Sequence, residues 1–387
     1  MKQSQKTISI VYVIESLERG GAEGLLASIV KKIDKARFSP VVVSLSGKVS
    51  LKREIESAGI PVFVLHMKEY THWLYAVISL WRIIRRKNAD IVHTHLFFAN
   101  IYGRIAAKIS GVKQIITTLH NPDYSFDSKD TFFSKVRKAL DKFTGIYCNT
   151  SFFAVSNFVK KDYEKNLSFR AIEVLYNCAE TIPPCTSQDP IYSSKREELG
   201  FKKEDRIIVN VGRLYAQKGQ IYLLKAVALL KEASFPCKVI LIGQGGLEGK
   251  LREAAVKLNL ENDIIFLRNR IDVPEILRVA DVFVFPSLYE GFGIALVEAM
   301  LIGLPVIASD IESIREIVRD RQDGILVEPM NSDALALAIK NIVSDKPLSL
   351  LLGESAKLRA HHLFNTERYI RNLENRYLAL RQQGGPY

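Results

Sequence analysis

Two glutamates on either side of a glycine turn are the residues of this chain best placed to do chemistry. Glu290 and Glu298 flank the turn at 291–293 in the segment YEGFGIALVEAM. The apolar run 281–286 predicts a strand before the turn, and the pattern from 294 onward predicts a helix after it. A strand, a turn and a helix N-terminus create an anion site, because free backbone N–H groups and the helix dipole point there. Carboxylates at two depths can bind hydroxyl groups, so the segment predicts a pocket for a phosphorylated sugar compound.

A loop with two cations lies earlier in the same half. In VNVGRLYAQKG, Gly212 ends a predicted strand and Gly219 precedes a predicted helix. Arg213 and Lys218 lie between them, and two cations on one loop can neutralise a diphosphate leaving group without a metal ion. An ordinary surface loop explains an isolated pair of cations equally well. The two glutamates in the same half favour the diphosphate interpretation.

Two further glycine turns follow predicted strands. LIGQGG at 241–246 contains Gly243, and either close approach to a nucleotide or a tight strand–helix connection explains it. Gly20 and Gly21 allow the backbone to approach a phosphate at the start of a helix. None of these turns is the GxGxxG fingerprint, so the sequence gives a nicotinamide cofactor no support.

Three histidines end strands in the first half. His120 follows the apolar strand TTL and is expected to bind a sugar hydroxyl or a reacting oxygen, although a structural role is more common for such a histidine. His93 and His95 are two residues apart and share one strand face. No third ligand has suitable spacing, so we expect no zinc site. The chain also has no DxD motif for a metal-bound sugar nucleotide, and we expect no metal or cofactor.

The net charge of +12 is concentrated in the first half of the chain. Residues 1–185 contain 27 Lys and Arg against 16 Asp and Glu, whereas residues 186–387 contain 27 against 26. This asymmetry predicts an anionic partner for the first half. Nucleic acid, an acidic membrane surface and a pyrophosphate-bearing substrate all satisfy it.

Two basic helical segments beside aromatic residues account for part of this charge. Such segments suit an amphipathic helix on anionic lipid, although a sheet-packed helix with a solvated basic edge is the alternative for each one. The cations concerned are Arg82, Arg85, Arg86, Lys135, Lys138 and Lys142.

Short apolar runs alternate with amphipathic stretches along the chain, which predicts parallel sheets with crossover helices. The predicted strands are 7–14, 40–45, 62–65, 89–93, 114–119, 152–155, 172–175, 206–211, 238–242, 263–267, 281–285, 304–308 and 325–327. The predicted helices are 22–33, 50–58, 72–87, 97–110, 219–232, 247–258, 273–280 and 294–302, with further helical periodicity over 348–382.

The length and composition indicate two domains of a soluble globular protein. The chain has 387 residues, 48% of them hydrophobic and 25% charged, and the proline-rich segment 177–192 is a predicted linker. The four cysteines have no metal-binding spacing and indicate reduced thiols in the cytosol. The apolar run 8–14 is too short for a signal peptide, and no run approaches the roughly 18 residues of a membrane span.

At this point the chain resembles the retaining, nucleotide-sugar-dependent glycosyltransferases of family 4. The resemblance rests on motifs in order along nearly the whole chain, above all the two glutamates with the upstream arginine and lysine. The motifs are GGAE at 20–23, VHTH at 92–95, TTLH at 117–120, VGRL…QKG at 211–219, LIGQG at 241–245, FPSLYEGFGIALVEAM at 285–300, LPVIASD at 304–310 and EIVRD…GILVEP at 316–329.

The resemblance implies an α/β protein with the GT-B fold, in which two Rossmann-like parallel-sheet domains face a deep interdomain cleft. The implied domains are an acceptor-binding domain at 1–180, a nucleotide-sugar-binding domain at 181–365 and a C-terminal helix at 366–387 that crosses back to the first domain.

The resemblance also implies a role for each matching residue. Arg213 and Lys218 would bind the donor diphosphate, Glu298 the ribose, and Glu290 the transferred sugar, with His120 near the reacting centre. The implied catalytic residues are His120, Glu290, Arg213 and Lys218. The implied donor-binding residues are Gly21, Gly212, Arg213, Lys218, Gly243, Glu290, Phe292, Gly293, Ile294 and Glu298.

We therefore expect a metal-independent enzyme that moves a hexose or N-acetylhexosamine from a UDP-sugar to a lipid-linked or polysaccharide-precursor acceptor. We expect it in the cytoplasm, peripheral on the inner face of the membrane, with no nucleic-acid partner. The alternatives are a GT-B enzyme of another reaction, such as sugar-nucleotide epimerisation, and a catalytically silent module that binds sugar nucleotides or lipid.

Overall fold

The computed structural model describes residues 7–67, 72–126, 131–180 and 190–383, which form two compact α/β units. Unit 1 comprises Met1–Asn177 and Thr366–Tyr387, and unit 2 comprises Cys178–Asn365. Most of the predicted linker, 181–189, lies outside the described residues, and its last residues, from Pro190 onward, belong to a helix instead.

Unit 1 is built on buried apolar strands, each continued by a crossover helix. Its strands are β1 (Ile8–Ile14), β2 (Phe38–Ser46), β3 (Val62–Met67), β4 (Ile91–His95), β5 (Gln114–Leu119), β6 (Ser151–Ala154) and β7 (Ile172–Val174). Its helices between these strands are α1 (Gly21–Lys32), α2 (Lys52–Ser57), α3 (Trp73–Arg86), α4 (Phe97–Ile109), α5 (Phe132–Cys148) and α6 (Asn157–Leu167).

The unit 1 strands form one parallel sheet in the order β3-β2-β1-β4-β5-β6-β7. The order reverses between β1 and β4, where Ile14 lies beside His95. Ligands of open parallel sheets bind beyond the carboxyl ends of the strands at such a switch point. The residues that follow β1 and β4 therefore occupy the position in unit 1 where a ligand is expected.

Unit 2 repeats this plan with a second sheet. Its strands are β8 (Ile207–Val211), β9 (Lys238–Ile242), β10 (Ile264–Leu267), β11 (Val282–Phe285), β12 (Val306–Ser309) and β13 (Ile325–Val327). Its helices are α7 (Pro190–Glu198), α8 (Gln220–Glu232), α9 (Glu248–Lys257), α10 (Val273–Arg278), α11 (Ile294–Leu301), α12 (Glu312–Arg315), α13 (Ser332–Ser344) and α14 (Lys346–Leu363), with a 3₁₀ turn at Ala216–Lys218.

The unit 2 sheet is also parallel, in the order β10-β9-β8-β11-β12-β13, and its switch point lies between β8 and β11. Every strand predicted from the sequence is present, with ends that differ by no more than two residues. Parallel strands are buried on both faces and so read as continuous apolar runs, which makes them easy to identify.

The predicted helical stretch 348–382 is two helices. α14 ends at Leu363, and α15 (Thr366–Gln383) belongs to unit 1. Tyr377 of α15 is fully buried, where its ring packs edge-on against Phe38 of β2. The amide of Asp34 donates a hydrogen bond of 2.8 Å to Glu374, which ties α15 to the end of α1. The C-terminal helix therefore contributes to the core of unit 1.

Candidate functional site

The loops after β8 and β11, at the switch point of unit 2, are joined by hydrogen bonds and by close backbone contact. The amide of Leu288 donates to the carbonyl of Gln217 at 2.7 Å, and the Gln217 side chain donates to the carbonyl of Tyr289 at 2.9 Å. Gly219 has φ +62°, and a Cβ there would lie 2.0 Å from the carbonyl oxygen of Pro286. Only glycine fits this contact, so the cationic loop and the glutamate loop form one rigid structure.

The loop after β9 joins the same structure through Gly243. Gly243 has φ +152°, and a Cβ there would lie 2.0 Å from the carbonyl oxygen of Gly212. The amide of Leu214 donates to the carbonyl of Gln244 at 3.0 Å. Contact with the neighbouring loop therefore requires a glycine at 243, whether or not a nucleotide binds there. This favours the interpretation of the turn as a tight strand–helix connection.

Lys218 and Glu290 form an ion pair at the centre of these loops. Nζ of Lys218 lies 2.5 Å from Oε1 of Glu290, and their side chains are 17% and 6% exposed. The ammonium also lies 5.2 Å from the ring centroid of Phe285. Arg213 is exposed, with its guanidinium 5.6 Å from the ring centroid of Tyr215. The fold thus brings a lysine and a carboxylate into contact, and the loop that carries the lysine also carries an exposed arginine.

Helix α11 begins at the end of the glutamate loop, where Gly293 is its N-cap. The first N–H groups of a helix have no partner within the helix, so those that begin at Ile294 face the loop. The side chain of Phe292 is buried and packs edge-on against Phe364 at 5.6 Å. Its ring belongs to the core, and a role in binding would fall to its backbone alone.

Glu298 lies on α11 and is partly exposed. Burial raises the pKa of its carboxyl to about 7, and the negative charge of Glu180 adds to the rise. Loss of hydration disfavours the charged form of a carboxyl group, so this side chain is poised to change charge near neutral pH.

The glycine pair of unit 1 lies in the loop after β1. Gly21 is exposed and is the first residue of α1. A Cβ at Gly20 would lie 2.5 Å from Oε2 of Glu23, whose other oxygen accepts a hydrogen bond of 3.1 Å from Ser16. A carboxylate therefore already lies at this helix N-terminus, and a phosphate contact at Gly21 requires Glu23 to turn away.

His93 is the centre of a buried hydrogen-bonded chain. Its Nδ1 lies 2.6 Å from the hydroxyl of Tyr377 and its Nε2 lies 2.8 Å from that of Thr118. The Tyr377 hydroxyl lies 3.0 Å from that of Tyr12. Burial lowers the pKa of His93 to about 3. The residue is neutral and fully engaged, so its role is to join α15 to the sheet.

His95 and His120 form a hydrogen-bonded pair next to His93. Nδ1 of His95 lies 3.0 Å from Nε2 of His120, and the rings of His93 and His95 stack at 4.4 Å. His95 is fully buried, and His120 is 9% exposed. Burial lowers the pKa of His120 to about 4. The described residues contain no group of three or more His, Cys, Asp and Glu placed to hold a metal ion.

A buried charged cluster that sequence reasoning missed fixes the segment after His120. Arg104 is fully buried, and its guanidinium lies 2.5 Å from a carboxylate oxygen of Asp141. The other oxygen of Asp141 accepts a hydrogen bond of 2.6 Å from the hydroxyl of Tyr124. Nearby, burial raises the pKa of Asp123 to about 7. These residues are far apart in the sequence, and no spacing signal connects them.

Five of the six cations in the predicted basic patch are exposed. Arg82, Arg85 and Arg86 are exposed on α3, and Lys135 and Lys142 are exposed on α5. The sixth cation, Lys138, is only partly exposed. Its ammonium donates to Asn166 at 3.1 Å and lies 5.6 Å from the ring centroid of Tyr124. Because this lysine is bound within unit 1, it adds little to the exposed charge.

Rows of exposed apolar side chains accompany these cations. α3 and α5 both pack against α4. Large apolar side chains that are 36% to 83% exposed lie on α3 and α5, namely Trp73, Leu74, Tyr75, Ile78, Trp81, Phe132, Phe133, Val136, Leu140, Phe143, Ile146 and Tyr147. Scattered apolar residues are ordinary on a surface, but rows of this extent mark an interaction face. Among the described residues, no helix is long and apolar enough to span a membrane.

Comparison with known proteins places both units in described families. Residues 19–181 match the model of Glycosyltransferase Family 4, and residues 192–359 match that of Glycosyl transferases group 1. The UDP-Gal:alpha-D-GlcNAc-diphosphoundecaprenol alpha-1,3-galactosyltransferase of Escherichia coli is 30% identical over 313 residues, which is 79% of each chain. The putative glycosyltransferase EpsF of Bacillus subtilis is 28% identical over 317 residues, which is 80% of each chain.

Solved structures show the same fold. Anabaena HepE in complex with UDP-glucose has a TM-score of 0.85 at 23% identity, covering 96% of this chain and 100% of that chain. Two parallel α/β units with polar loops at their switch points thus define a protein of the GT-B fold, as predicted. The chain belongs to the group 1 and family 4 glycosyltransferases.

Proposed function

We propose that this glycosyltransferase moves a hexose or N-acetylhexosamine from a UDP-sugar to a lipid-linked or polysaccharide-precursor acceptor, without a metal ion. The observation that carries the proposal is the contact of Lys218 with Glu290 at the switch point of unit 2. Arg213 lies on the same loop as Lys218. The related Anabaena protein was crystallised with UDP-glucose. The name of the E. coli relative gives a UDP-sugar donor and a diphosphoundecaprenol-linked acceptor.

In this proposal the donor exchanges partners with the ion pair. The diphosphate takes the ammonium of Lys218 and the guanidinium of Arg213, which stabilise the leaving nucleotide by charge. Glu290 is then free to accept hydrogen bonds from hydroxyls of the sugar, with backbone N–H groups of Phe292, Gly293 and Ile294 nearby. Glu298 accepts hydrogen bonds from the ribose hydroxyls. These two cations supply the charge that a metal would otherwise supply.

We further propose that transfer retains the anomeric configuration. The bond from the anomeric carbon to the phosphate oxygen breaks, and the acceptor oxygen forms its bond on the same face of the sugar. The acceptor proton passes to an oxygen of the departing phosphate, so the donor assists its own reaction. His120 contacts the sugar near this centre. The anomeric proton coupling of the product in NMR tests the outcome, and an inverted product would refute the same-face mechanism.

The first experiment separates an active transferase from the alternatives. Wild-type protein is screened for thermal stabilisation by UDP, GDP and ADP and their sugar conjugates, with and without EDTA. Ligand at about 100 times its dissociation constant stabilises by about 2.7 kcal/mol, which gives a visible shift. A chelator-insensitive shift with uridine compounds supports the proposal. A shift with another base would replace the donor, and a shift lost with EDTA would refute metal independence.

The catalytic role is tested with an R213A/K218A double variant. We expect transfer to be abolished while the circular dichroism spectrum is unchanged. The matched control is K257A/R321A, which removes two exposed cations elsewhere in unit 2. Retained transfer in R213A/K218A would contradict the leaving-group role. A silent module predicts no transfer even for wild-type protein, and an epimerase predicts conversion of the donor without an acceptor.

We also propose that unit 1 docks on an anionic membrane through α3 and α5. The apolar rows supply insertion into the interface, and the exposed cations beside them supply attraction to anionic headgroups. This placement brings a cytoplasmic enzyme to a lipid-linked acceptor on the inner face of the membrane.

Liposome sedimentation tests the docking surface. Each basic residue near an anionic surface contributes about 1 kcal/mol, so R82E/R85E/R86E is expected to weaken binding by at least about 100-fold. The control K257E/R321E/K340E makes the same change of charge on exposed residues of unit 2. A second variant, F143D, tests the apolar row. Unchanged binding in both α3 and α5 variants would remove the membrane proposal and leave the enzyme proposal intact.

A further inference from the structure

The pair formed by His95 and His120 has one nitrogen without a partner. Nδ1 of His95 lies 3.0 Å from Nε2 of His120. Nε2 of His95 is buried and forms no hydrogen bond with any group in the described part of the chain. The proton between the two rings belongs either to His95 or to His120, and the unpartnered nitrogen decides which.

If the bridging proton were on His120, neutral His95 would carry its own proton on Nε2. That arrangement leaves a buried N–H donor unsatisfied, which is among the rarest defects in folded proteins. If the bridging proton is on Nδ1 of His95, its Nε2 holds only a lone pair, which is a smaller loss. A doubly protonated His95 is opposed by burial, which holds the pKa of His95 well below its usual value. His95 therefore donates and His120 accepts at its Nε2.

The backbone beside His95 shows that this arrangement is held firmly. His95 ends β4 and is paired with Ile14 on one side and Thr118 on the other. The next residue, Leu96, has φ +73° and ψ 162°, a conformation almost confined to glycine. The amide of Phe98 donates a hydrogen bond of 2.6 Å to a carboxylate oxygen of Glu15. A strained residue with firm contacts on both sides is typical of a functional position.

We propose that His95 is a positioning residue that holds His120 as its Nδ1–H tautomer, so that His120 donates a hydrogen bond to an oxygen of the transferred sugar and does not act as a base. The sugar contact rests on the proposed function, whereas the tautomer rests on unit 1 alone. The bridge to His95 uses Nε2 of His120 and leaves its Nδ1 out of this contact. This nitrogen is the one left for a ligand.

Nitrogen-15 NMR measures the tautomer directly. The full-length protein is labelled at its seven histidines, and the His120 signals are identified by their loss in H120Q. Two-bond proton–nitrogen correlations at pH 7 distinguish a protonated from an unprotonated ring nitrogen. We expect a protonated Nδ1 and an unprotonated Nε2 for His120. A protonated Nε2, alone or with Nδ1, would overturn the proposal.

Two substitutions at His95 then test the functional consequence. H95N keeps an amide N–H near the position of Nδ1, whereas H95L removes the donor. We expect His120 in H95L to populate its Nε2–H tautomer and kcat to fall by about tenfold, the equivalent of one hydrogen bond of about 1.4 kcal/mol. H95N is expected to restore both the tautomer and most of kcat.

The outcomes separate the two levels of the proposal. The circular dichroism spectrum and the thermal unfolding midpoint report whether each variant is folded, since the His93 ring stacks on His95 and its NMR signals shift in either variant. Equal kcat values for folded H95L and H95N would overturn the positioning role. If wild-type protein transferred no sugar, the proposed function would fail, while the tautomer measurement would still decide the histidine assignment.

Discussion

The affinity of the protein for a nucleotide sugar is expected to depend on the ionisation of Glu298. Burial raises the pKa of this carboxyl to about 7, so it is mostly neutral below that pH and mostly charged above it. A charged carboxylate accepts much stronger hydrogen bonds from ribose hydroxyls than a neutral carboxyl does. Donor binding should therefore weaken as the pH falls through 7.

The size of the effect follows from the fraction of Glu298 that is ionised. For a pKa near 7 this fraction falls from about 0.9 at pH 8 to about 0.03 at pH 5.5, an upper limit of about 30-fold in affinity. The side chain is partly exposed, and solvent screening reduces the effect, so we expect about 5- to 30-fold. Stability in the absence of ligand has the opposite sign. The raised pKa means that the folded state binds the extra proton, so this contribution decreases as the pH rises from about 4.5 to 7.

Calorimetric titration with a UDP-sugar from pH 5.5 to pH 8 provides the measurement. A sugar nucleotide is preferable to UDP, because both ends of its diphosphate are esterified and it has no ionisable proton in this range. The control is E298Q, which keeps the shape and removes the charge. Asp123 in unit 1 also has a pKa near 7, and any contribution from it persists in E298Q. Equal pH dependence in wild type and E298Q, or none in wild type, would refute the reasoning.

Two further predictions concern the loops of unit 2. In G243A the new Cβ would lie 2.0 Å from the carbonyl oxygen of Gly212, so we expect a loss of about 2–4 kcal/mol in chemical denaturation, whereas G249A, at an open helical position, should be neutral or slightly stabilising. Equal stabilities would disprove the loop contact. K218M leaves the nearly buried carboxylate of Glu290 without its cation, so we expect the free energy of unfolding to fall by about 2–4 kcal/mol. E290Q should lower it by only about 1 kcal/mol, because the ammonium of Lys218 that loses its partner is more exposed. The double variant should cost less than the sum, and simple additivity would show that the ion pair contributes nothing.

The regular elements could be predicted because their signals are local. A buried parallel strand such as β11 is apolar along its whole length, and the helix that follows repeats every three to four residues. Helical periodicity alone does not locate the break between α14 and α15, because it continues on both sides, whereas the family resemblance implies a separate helix at 366–387. The residues that α15 contacts in unit 1 are hundreds of positions away in sequence, and no local pattern identifies them.

The sequence by itself determined the residue types of the site and their order along the chain. Cations, carboxylates and glycines follow strands, and the carboxyl ends of parallel strands lie on one edge of a sheet, so their general location could be inferred. Strand order was decided only by the tertiary structure. The tertiary structure brings Lys218 into contact with Glu290, which is 72 residues away in the sequence. It also places Lys138 of α5 against Asn166 of α6. It also unites His95 with His120, because β4 and β5 are neighbours. Such contacts depend on packing between distant segments, which the chemistry of a single segment does not specify.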